Sequence, residues 1–145
     1  MKKTINVLVI DGQGGQIGSI IVREIRKRYP EIQLTAVGTN TVATAAMLKA
    51  GANQGATGEN PVLVACRSAQ VIIGPIGIVI ADSLLGEITP AMALAVSQTD
   101  VPKILIPTGK CNIIVAGVTG TSMGTLIEDA IYHLGMSLDI SDKTC

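Results

Sequence analysis

Aromatic residues are almost absent from this chain, which has no Trp, no Phe and only two Tyr among its 145 residues. Proteins that hold single-stranded nucleic acid usually stack its bases on aromatic side chains, and such a platform cannot be built here. The formal net charge at pH 7 is zero, so no basic surface for a phosphate backbone is expected either. Nucleic acid is therefore excluded as the expected partner.

Cysteine and long apolar runs are also scarce. The three cysteines are widely separated and form no CxxC pair, which argues against a structural zinc site or a disulfide framework. This usage fits a reducing, cytoplasmic compartment. The longest apolar tract, residues 71–81, is broken by glycine and proline and falls short of the roughly 20 residues that span a membrane. We expect no metal site and no membrane segment.

Histidine occurs once, and His133 is expected on the surface near the end of the last helix. Without a second histidine nearer to a nucleophile, no Ser-His-Asp or Cys-His arrangement is credible. Aliphatic residues, in contrast, are abundant. Hydrophobic residues make up 48% of the chain and charged residues 15%, whereas about 25% charged is typical. A small monomer cannot easily bury so much apolar surface, so we expect a homodimer or a higher homo-oligomer.

Strand and helix patterns alternate along the chain. Strands are predicted at residues 5–10, 32–37, 70–74, 103–106 and 112–118. Helices are predicted from about residue 17 to the Tyr29-Pro30 stop and at 41–50, 60–67, 79–85, 89–98 and 122–134. The Gly-rich segment 52–59 is predicted to be a loop, and a strand remains an alternative for 60–67.

This alternation predicts a three-layer α/β sandwich around a mostly parallel five-stranded sheet. The turn 108–111 between the last two strands is too short for a parallel crossover, so we expect those strands to form a C-terminal antiparallel hairpin. No linker or repeat is visible. We therefore expect one domain over residues 1–136 and a mobile tail over 137–145.

The most informative segment is 7–18, where a buried strand pattern ends at Asp11 and a glycine-rich turn leads into a helix pattern. Its glycines follow the spacing Gly-x-x-Gly-x-x-Gly, a variant of the dinucleotide-binding loop. Such glycines allow a tight turn and a close approach of the backbone to phosphate, while the helix N-terminus offers unpaired N–H groups. The candidate binding residues here are Asp11, Gly12, Gln13, Gly14, Gly15, Gln16, Ile17 and Gly18.

A simpler interpretation of this loop remains open. A tight strand-to-helix turn needs glycine for packing alone, and an acid at its start commonly caps backbone N–H groups. A lone glycine pattern does not separate the two interpretations. Its position, directly after a buried strand and directly before an amphipathic helix, favours phosphate binding.

The end of the second strand lacks one feature of standard dinucleotide sites. An acid usually stands there and binds the ribose 2′-hydroxyl, but this chain has Gly38, Thr39 and Asn40. These three residues are candidate ribose contacts, and Gly74 and Pro75 at the end of the third strand complete the candidate site. The missing acid weakens a plain NAD interpretation and leaves room for a mononucleotide or a smaller phosphate-bearing ligand.

Candidate catalytic residues come from other strand ends, because open α/β sheets bind ligands in the crevice there. Lys110 follows the fourth strand and favours the nucleophilic thiolate of Cys111, while Asp82 and Glu87 follow the third strand as candidate acids or bases. The simpler alternatives are a packed cysteine, a solvated lysine and carboxylates that cap turns. Neither tyrosine has a lysine four residues later, so the acid–base pair of dehydrogenases with this glycine spacing is missing.

Long motifs carry a family resemblance. Residues 9–18, 38–52, 55–60, 74–77, 85–92 and 110–112 together resemble a bacterial family of short proteins catalogued only as a domain of unknown function (domain of unknown function 3842). The resemblance covers nearly the whole chain and implies a Rossmann-like fold, but it carries no activity. From the residues, we expect a nucleotide- or dinucleotide-binding protein, with NAD or NADP as the candidate cofactor of an oxidoreductase. The alternative is a non-catalytic small-ligand sensor or assembly subunit.

Overall fold

The computed structural model describes residues 4–109 and 112–143 of the chain. Strands and helices alternate through most of this range. In chain order they are β1 (Asn6–Asp11), α1 (Gln16–Arg28), β2 (Gln33–Gly38), α2 (Thr41–Ala50), β3 (Gln54–Thr57), α3 (Glu59–Cys66), β4 (Val71–Pro75), α4 (Pro90–Ser97), β5 (Lys103–Ile106) and α5 (Met123–Lys143).

The five strands form one sheet in the order β3-β2-β1-β4-β5, and every pair is parallel. This order matches the first five strands of the Rossmann arrangement 3-2-1-4-5-6. β1 lies at the centre and pairs with both β2 and β4. The order reverses between β1 and β4, and ligands of such sheets bind at this point, beyond the carboxyl ends of the strands.

Helices cover both faces of the sheet, as the alternating side chains of β1 show. Val7 and Val9 belong to the core shared with α1, α2 and α5, whereas Leu8 and Ile10 belong to the core shared with α3 and α4. All four side chains are fully buried or nearly so. A parallel strand buried on both faces has a continuous apolar sequence, which is why β1 could be predicted. The expected three-layer α/β architecture is confirmed.

Capping residues mark the boundaries of several helices. The Asn40 side chain accepts a hydrogen bond from the backbone N–H of Ala43 at 2.9 Å and caps α2. Gly51, with φ 125°, ends the same helix in a conformation that favours glycine. Thr89 caps α4 in the same way as Asn40, through the N–H of Met92 at 3.2 Å. For residues 60–67 the helix is confirmed over the alternative strand, since α3 spans Glu59–Cys66.

The predicted C-terminal antiparallel hairpin is wrong. Residues 112–118 form turns and irregular structure, and Ile114 is 94% exposed there. The fifth strand is instead β3, which pairs with β2 in parallel within the segment predicted to be a loop. All four β3 residues are exposed, so β3 is held by backbone pairing and polar side-chain contacts and not by apolar burial. A hydrophobic pattern therefore cannot reveal β3. The β-branched residues in 112–118, in contrast, have no partner strand in the described structure and do not form a strand.

Two further boundaries differ from the prediction. The helix predicted at 79–85 is absent; a 3-10 turn spans Ile76–Val79 and is followed by a series of turns. The last helix continues beyond the predicted end at 134 to Lys143, and Leu138 belongs to the core that α5 shares with α1. The mobility expected for residues 137–145 stays a prediction. Within the described ranges, no helix combines the length and apolar character that a membrane crossing requires.

Candidate functional site

The glycine-rich turn lies at the carboxyl end of β1. It is closed by a hydrogen bond from the Gly15 N–H to the Gly12 carbonyl at 2.9 Å, and Gln13 and Gly15 have φ values of 50° and 71°. Gly15 is the N-cap of α1 and brings no capping side chain, and the first turn of the helix contains no acid. The helix therefore supplies no group of its own that offsets the positive end of its dipole.

The Asp11 carboxylate holds this turn in place through hydrogen bonds. Its carboxylate accepts hydrogen bonds from the N–H groups of Gly12 and Gly18, both at 2.7 Å, and the side chain is buried. The contact ties the end of β1 to the first turn of α1. This geometry is the capping role that the sequence left open for Asp11. Any contact of Asp11 with a ligand stays a prediction.

The glycines of the turn serve different purposes. A Cβ at Gly15 would lie 2.8 Å from the Cα of Ala43, and one at Gly18 would lie 2.8 Å from the Cβ of Asp11. Packing therefore accounts for glycine at both positions. Gly14 is exposed, has no positive φ and has no atom within 4 Å of a built Cβ. The fold does not require glycine at position 14.

Three backbone N–H groups at this helix N-terminus are available to an anion. In the described part of the chain, the N–H groups of Gly14, Gln16 and Ile17 donate no hydrogen bond. Gly14 and Gln16 are exposed. Unpaired N–H groups at the start of a helix point towards a bound anion, and the dipole favours its negative charge.

Beside the turn lies a group of polar contacts that we call the Glu87 cluster, formed by Glu87, Gln13, Thr39 and Asn40. The Glu87 Oε2 atom accepts hydrogen bonds from the Gln13 N–H at 2.7 Å and from the Thr39 hydroxyl at 2.5 Å. The Asn40 amide donates to both carboxylate oxygens at 3.2 and 3.3 Å, and to the Gln13 carbonyl at 2.9 Å. The N–H and the carbonyl of Gln13 are thus both hydrogen-bonded, which explains how this non-glycine residue keeps a positive φ.

Glu87 reaches the cluster on the segment 80–88, which we call the strap. Within the strap Asp82, Leu84 and Leu85 have φ values of 65°, 55° and 57°, a backbone conformation that L-residues rarely adopt. The strap is anchored by fully buried Ile88, whose carbonyl accepts from the Asp82 N–H at 2.7 Å. The Ser83 hydroxyl also donates to the Gly77 carbonyl at 2.5 Å.

The strap brings Glu87 against the first glycine of the turn. A Cβ at Gly12 would lie 2.6 Å from both Glu87 Oε2 and Thr39 Oγ1, so any larger residue there would displace these side chains. Burial raises the pKa of the Glu87 carboxyl, but hydrogen bonds from Thr39, the Gln13 N–H and Asn40 outweigh it and hold the pKa below its usual value. Glu87 is therefore ionised at neutral pH.

The structure brings together most of the residues predicted for the site. The turn, the β2 end (Gly38, Thr39 and Asn40) and Glu87 are in contact, and Gly74 lies against the Ile10 carbonyl, followed by Pro75 at the end of β4. Asp82 is exposed and enters the described hydrogen bonds only through its backbone. Lys110 and Cys111 lie outside the described residues, so their catalytic roles stay predictions.

The contact between Glu87 and the β2 end was not predicted. The sequence marked Glu87 as a candidate acid or base, but 48 residues separate it from Thr39. The strap places it there through positive φ values at three non-glycine residues, and no local sequence signal indicates such a path. Among the described residues, no cluster of His, Cys, Asp and Glu suits a metal ion.

Two cavities lie away from the turn. One of about 500 Å³ follows β5 and α5 and includes Lys103, Asp129 and His133. Another cavity, of about 350 Å³, lies between α1 and α5. Neither is lined by the N–H groups of Gly14 and Gln16 or by the Glu87 cluster, so we place the candidate site at the turn.

Fold and site together define an α/β protein with a doubly wound parallel sheet and a glycine-rich strand-to-helix turn at its carboxyl edge. The chain belongs to the family described as "Domain of unknown function (DUF3842)", whose model matches residues 6–139. The family resemblance drawn from the sequence motifs is thus confirmed. No curated protein matches the chain.

Proposed function

We propose that this chain binds a nucleotide or dinucleotide and contacts its phosphate through the turn between β1 and α1. The observation that carries the proposal is Gly14, an exposed glycine that neither packing nor backbone conformation requires. It lies beside the N–H groups of Gln16 and Ile17, which donate no bond within the described residues. A residue without a side chain there lets a phosphate approach those groups closely.

The charges near the turn indicate where the phosphate binds. Asp11 and Glu87 accept the N–H groups of Gly12, Gln13 and Gly18, so these three donors are already used. A phosphate is favoured at the donors that remain at the N-terminus of α1, where the helix dipole attracts negative charge. We therefore assign the phosphate to Gly14, Gln16 and Ile17.

An oxidoreductase that uses NAD or NADP is the enzymatic form of this proposal. One observation favours the alternative, a non-catalytic ligand sensor or assembly subunit. Asp11 and Glu87 both use their carboxylates to hold the turn, and the lowered pKa of Glu87 makes it a weak base at neutral pH. Glu87 therefore does not suit general-base catalysis at neutral pH.

The test compares the wild-type protein with Gly14→Val in nucleotide binding. We expect saturation-transfer NMR and calorimetry to detect at least one of NAD⁺, NADP⁺, AMP and ATP with the wild type. Gly14→Val should weaken that binding at least about tenfold, because the side chain blocks the approach to the free N–H groups. Gly124→Val is the matched control, since Gly124 is another glycine with open space, in the first turn of α5.

Two results would contradict the proposal. One is the absence of binding for all four nucleotides with wild-type protein. The other is equal binding by the wild type and Gly14→Val when thermal unfolding shows both proteins to be folded.

We also propose that the chain forms a homodimer in a reducing cytoplasm. The outward side of the α3–α4 layer supports the dimer, because Val64 and Leu94 are 47% and 55% exposed on these two helices, which pack side by side. α4 contains no charged residue, which is unusual for a helix that faces water. The compartment rests on the scattered cysteines.

A further inference from the structure

We propose that Glu87 binds the ribose 2′-hydroxyl of the nucleotide, so that the strap supplies the acid that the end of β2 lacks. This inference rests on the nucleotide binding proposed above and names the chemical class of the ligand: a nucleotide with a free ribose 2′-hydroxyl.

The location of the carboxylate carries the inference. In standard dinucleotide sites the ribose acid stands at the end of the second strand, next to the glycine turn that contacts the phosphates. Glu87 Oε2 lies 2.5 Å from the hydroxyl of Thr39, the first residue after β2, and 2.7 Å from the N–H of Gln13 in the turn. The charge therefore occupies the expected place, although the residue comes from the segment after β4.

The carboxylate has room for another donor. A carboxylate offers about four lone-pair positions. The Glu87 Oε2 atom accepts the two short bonds from Gln13 and Thr39, whereas among the described residues Oε1 accepts only the 3.2 Å bond from Asn40. Glu87 is also partly exposed. A ribose hydroxyl can therefore donate to Oε1 without displacing the bonds that hold Oε2.

Charge makes the site selective between ribose forms. A 2′-phosphate would bring a second negative charge against Glu87, which costs affinity unless a cation lies beside it. In the sequence after β2, the first basic residue is Lys49, in the last turn of α2. Among the described residues, none of the hydrogen bonds of Glu87 comes from a basic side chain. We therefore expect NAD⁺ to bind in preference to NADP⁺.

The same contacts allow a competing role in which Glu87 occupies the anion position of the turn and must leave before a ligand binds. The two roles predict opposite effects of Glu87→Gln. Loss of a ribose acceptor weakens binding, whereas loss of a blocking carboxylate strengthens it. The ribose role is favoured because Glu87 Oε1 can accept another hydrogen bond and because the carboxylate lies beside the end of β2.

Calorimetric titration with ADP and 2′-deoxy-ADP tests the inference on wild-type protein, Glu87→Gln and the control Glu31→Gln. Glu31 is an exposed carboxylate just before β2, at the opposite edge of the sheet. We expect the wild type and Glu31→Gln to bind ADP at least about tenfold more tightly than 2′-deoxy-ADP. Glu87→Gln should lose this preference by weakening ADP more than 2′-deoxy-ADP, since the coupling between hydroxyl and carboxylate is removed.

The outcomes separate this inference from the proposal on which it depends. If wild-type protein binds ADP and 2′-deoxy-ADP equally, only the ribose assignment is wrong, and tighter ADP binding by Glu87→Gln would establish the blocking role instead. If no nucleotide binds, both proposals are wrong. Should Glu87→Gln not fold, the wild type still decides, through its preference for ADP over 2′-deoxy-ADP and for NAD⁺ over NADP⁺.

Discussion

Asp11 and Glu87 bring two carboxylates to the same turn, and each holds different N–H groups of it. Asp11 is buried and bonds within its own strand-to-helix connection, through the N–H groups of Gly12 and Gly18. Glu87 comes from 74 residues away and bonds the N–H of Gln13. Together they fix the geometry of residues 12–18 before any ligand arrives, and preorganised donors lose less entropy on binding.

The lowered pKa of Glu87 predicts how stability depends on pH. A carboxyl whose pKa is lower in the folded state stabilises the fold above its unfolded pKa, and this contribution disappears as the pH falls through the folded pKa. We expect wild-type protein to be more stable than Glu87→Gln above about pH 5. The difference should shrink as the pH falls below the ordinary value of 4.5. Urea unfolding of both proteins from about pH 3 to about pH 7 measures this difference in stability.

Glu87→Gln shares every other titrating group with the wild type, so their difference isolates this carboxyl. Glu31→Gln serves again as the control, because Glu31 is exposed at the other edge of the sheet. A stability difference that stays constant over the range, or grows in acid, would show that Glu87 is not held in its ionised form by Thr39, Gln13 and Asn40.

At the scale of elements, sequence patterns located the segments that bury side chains. β1, β2 and β4 could be predicted because their residues are buried and aliphatic, and α2 because Asn40 and Gly51 mark its ends. β3 could not be predicted, since its four residues are exposed and pair through the backbone. The predicted strand at 112–118 has β-branched residues but no partner in the described structure. Strand propensity alone does not decide pairing.

The candidate site, like the strands and helices, could be predicted only in part. The turn and the β2 end could be recognised because glycine, strand and helix follow one another within a short segment. The position of Glu87 depends on the path of the strap, where Asp82, Leu84 and Leu85 adopt positive φ. Tertiary contacts hold those residues there, including the buried Ile88 and the bond from Ser83 to Gly77. A path fixed by long-range contacts leaves no pattern in the sequence.

The β1–α1 connection gives a prediction that separates structural from functional glycines. Gly15→Ala places a Cβ 2.8 Å from the Cα of Ala43 on a residue with φ 71°, so it forces α1 away from α2. We expect a loss of roughly 2–4 kcal/mol in the free energy of unfolding. Gly14→Ala meets no atom within 4 Å and should change stability by less than about 0.5 kcal/mol. Urea unfolding of the three proteins provides the measurement.

A loss for Gly14→Ala as large as that for Gly15→Ala would mean that position 14 needs glycine for folding. The argument that its glycine serves ligand approach would then fail. If Gly15→Ala were as stable as the wild type, the close packing of the turn against α2 would be wrong instead.

For the molecule as a whole, the sheet order concentrates function at one edge. β1 pairs with β2 and β4, so the turn after β1, the β2 end and the strap after β4 all meet at its carboxyl end. The proposed phosphate and ribose contacts come from these three segments, which are distant in sequence and adjacent in space. α3 and α4 lie on one face of the sheet and form a separate surface that the proposed ligand contacts do not involve.

That surface carries the prediction about assembly. Leu94 is 55% exposed on α4, a helix without charged residues, and Val64 is 47% exposed on neighbouring α3. We expect wild-type protein to sediment at twice the chain mass of 14.9 kDa and Leu94→Glu to sediment as a monomer. A charge placed in an apolar interface loses its hydration without gaining a partner.

Met136→Glu is the control, because Met136 is 45% exposed on α5, which belongs to the core on the other face of the sheet. A monomeric wild type, or dissociation by Met136→Glu in place of Leu94→Glu, would show that the α3–α4 surface is not the interface.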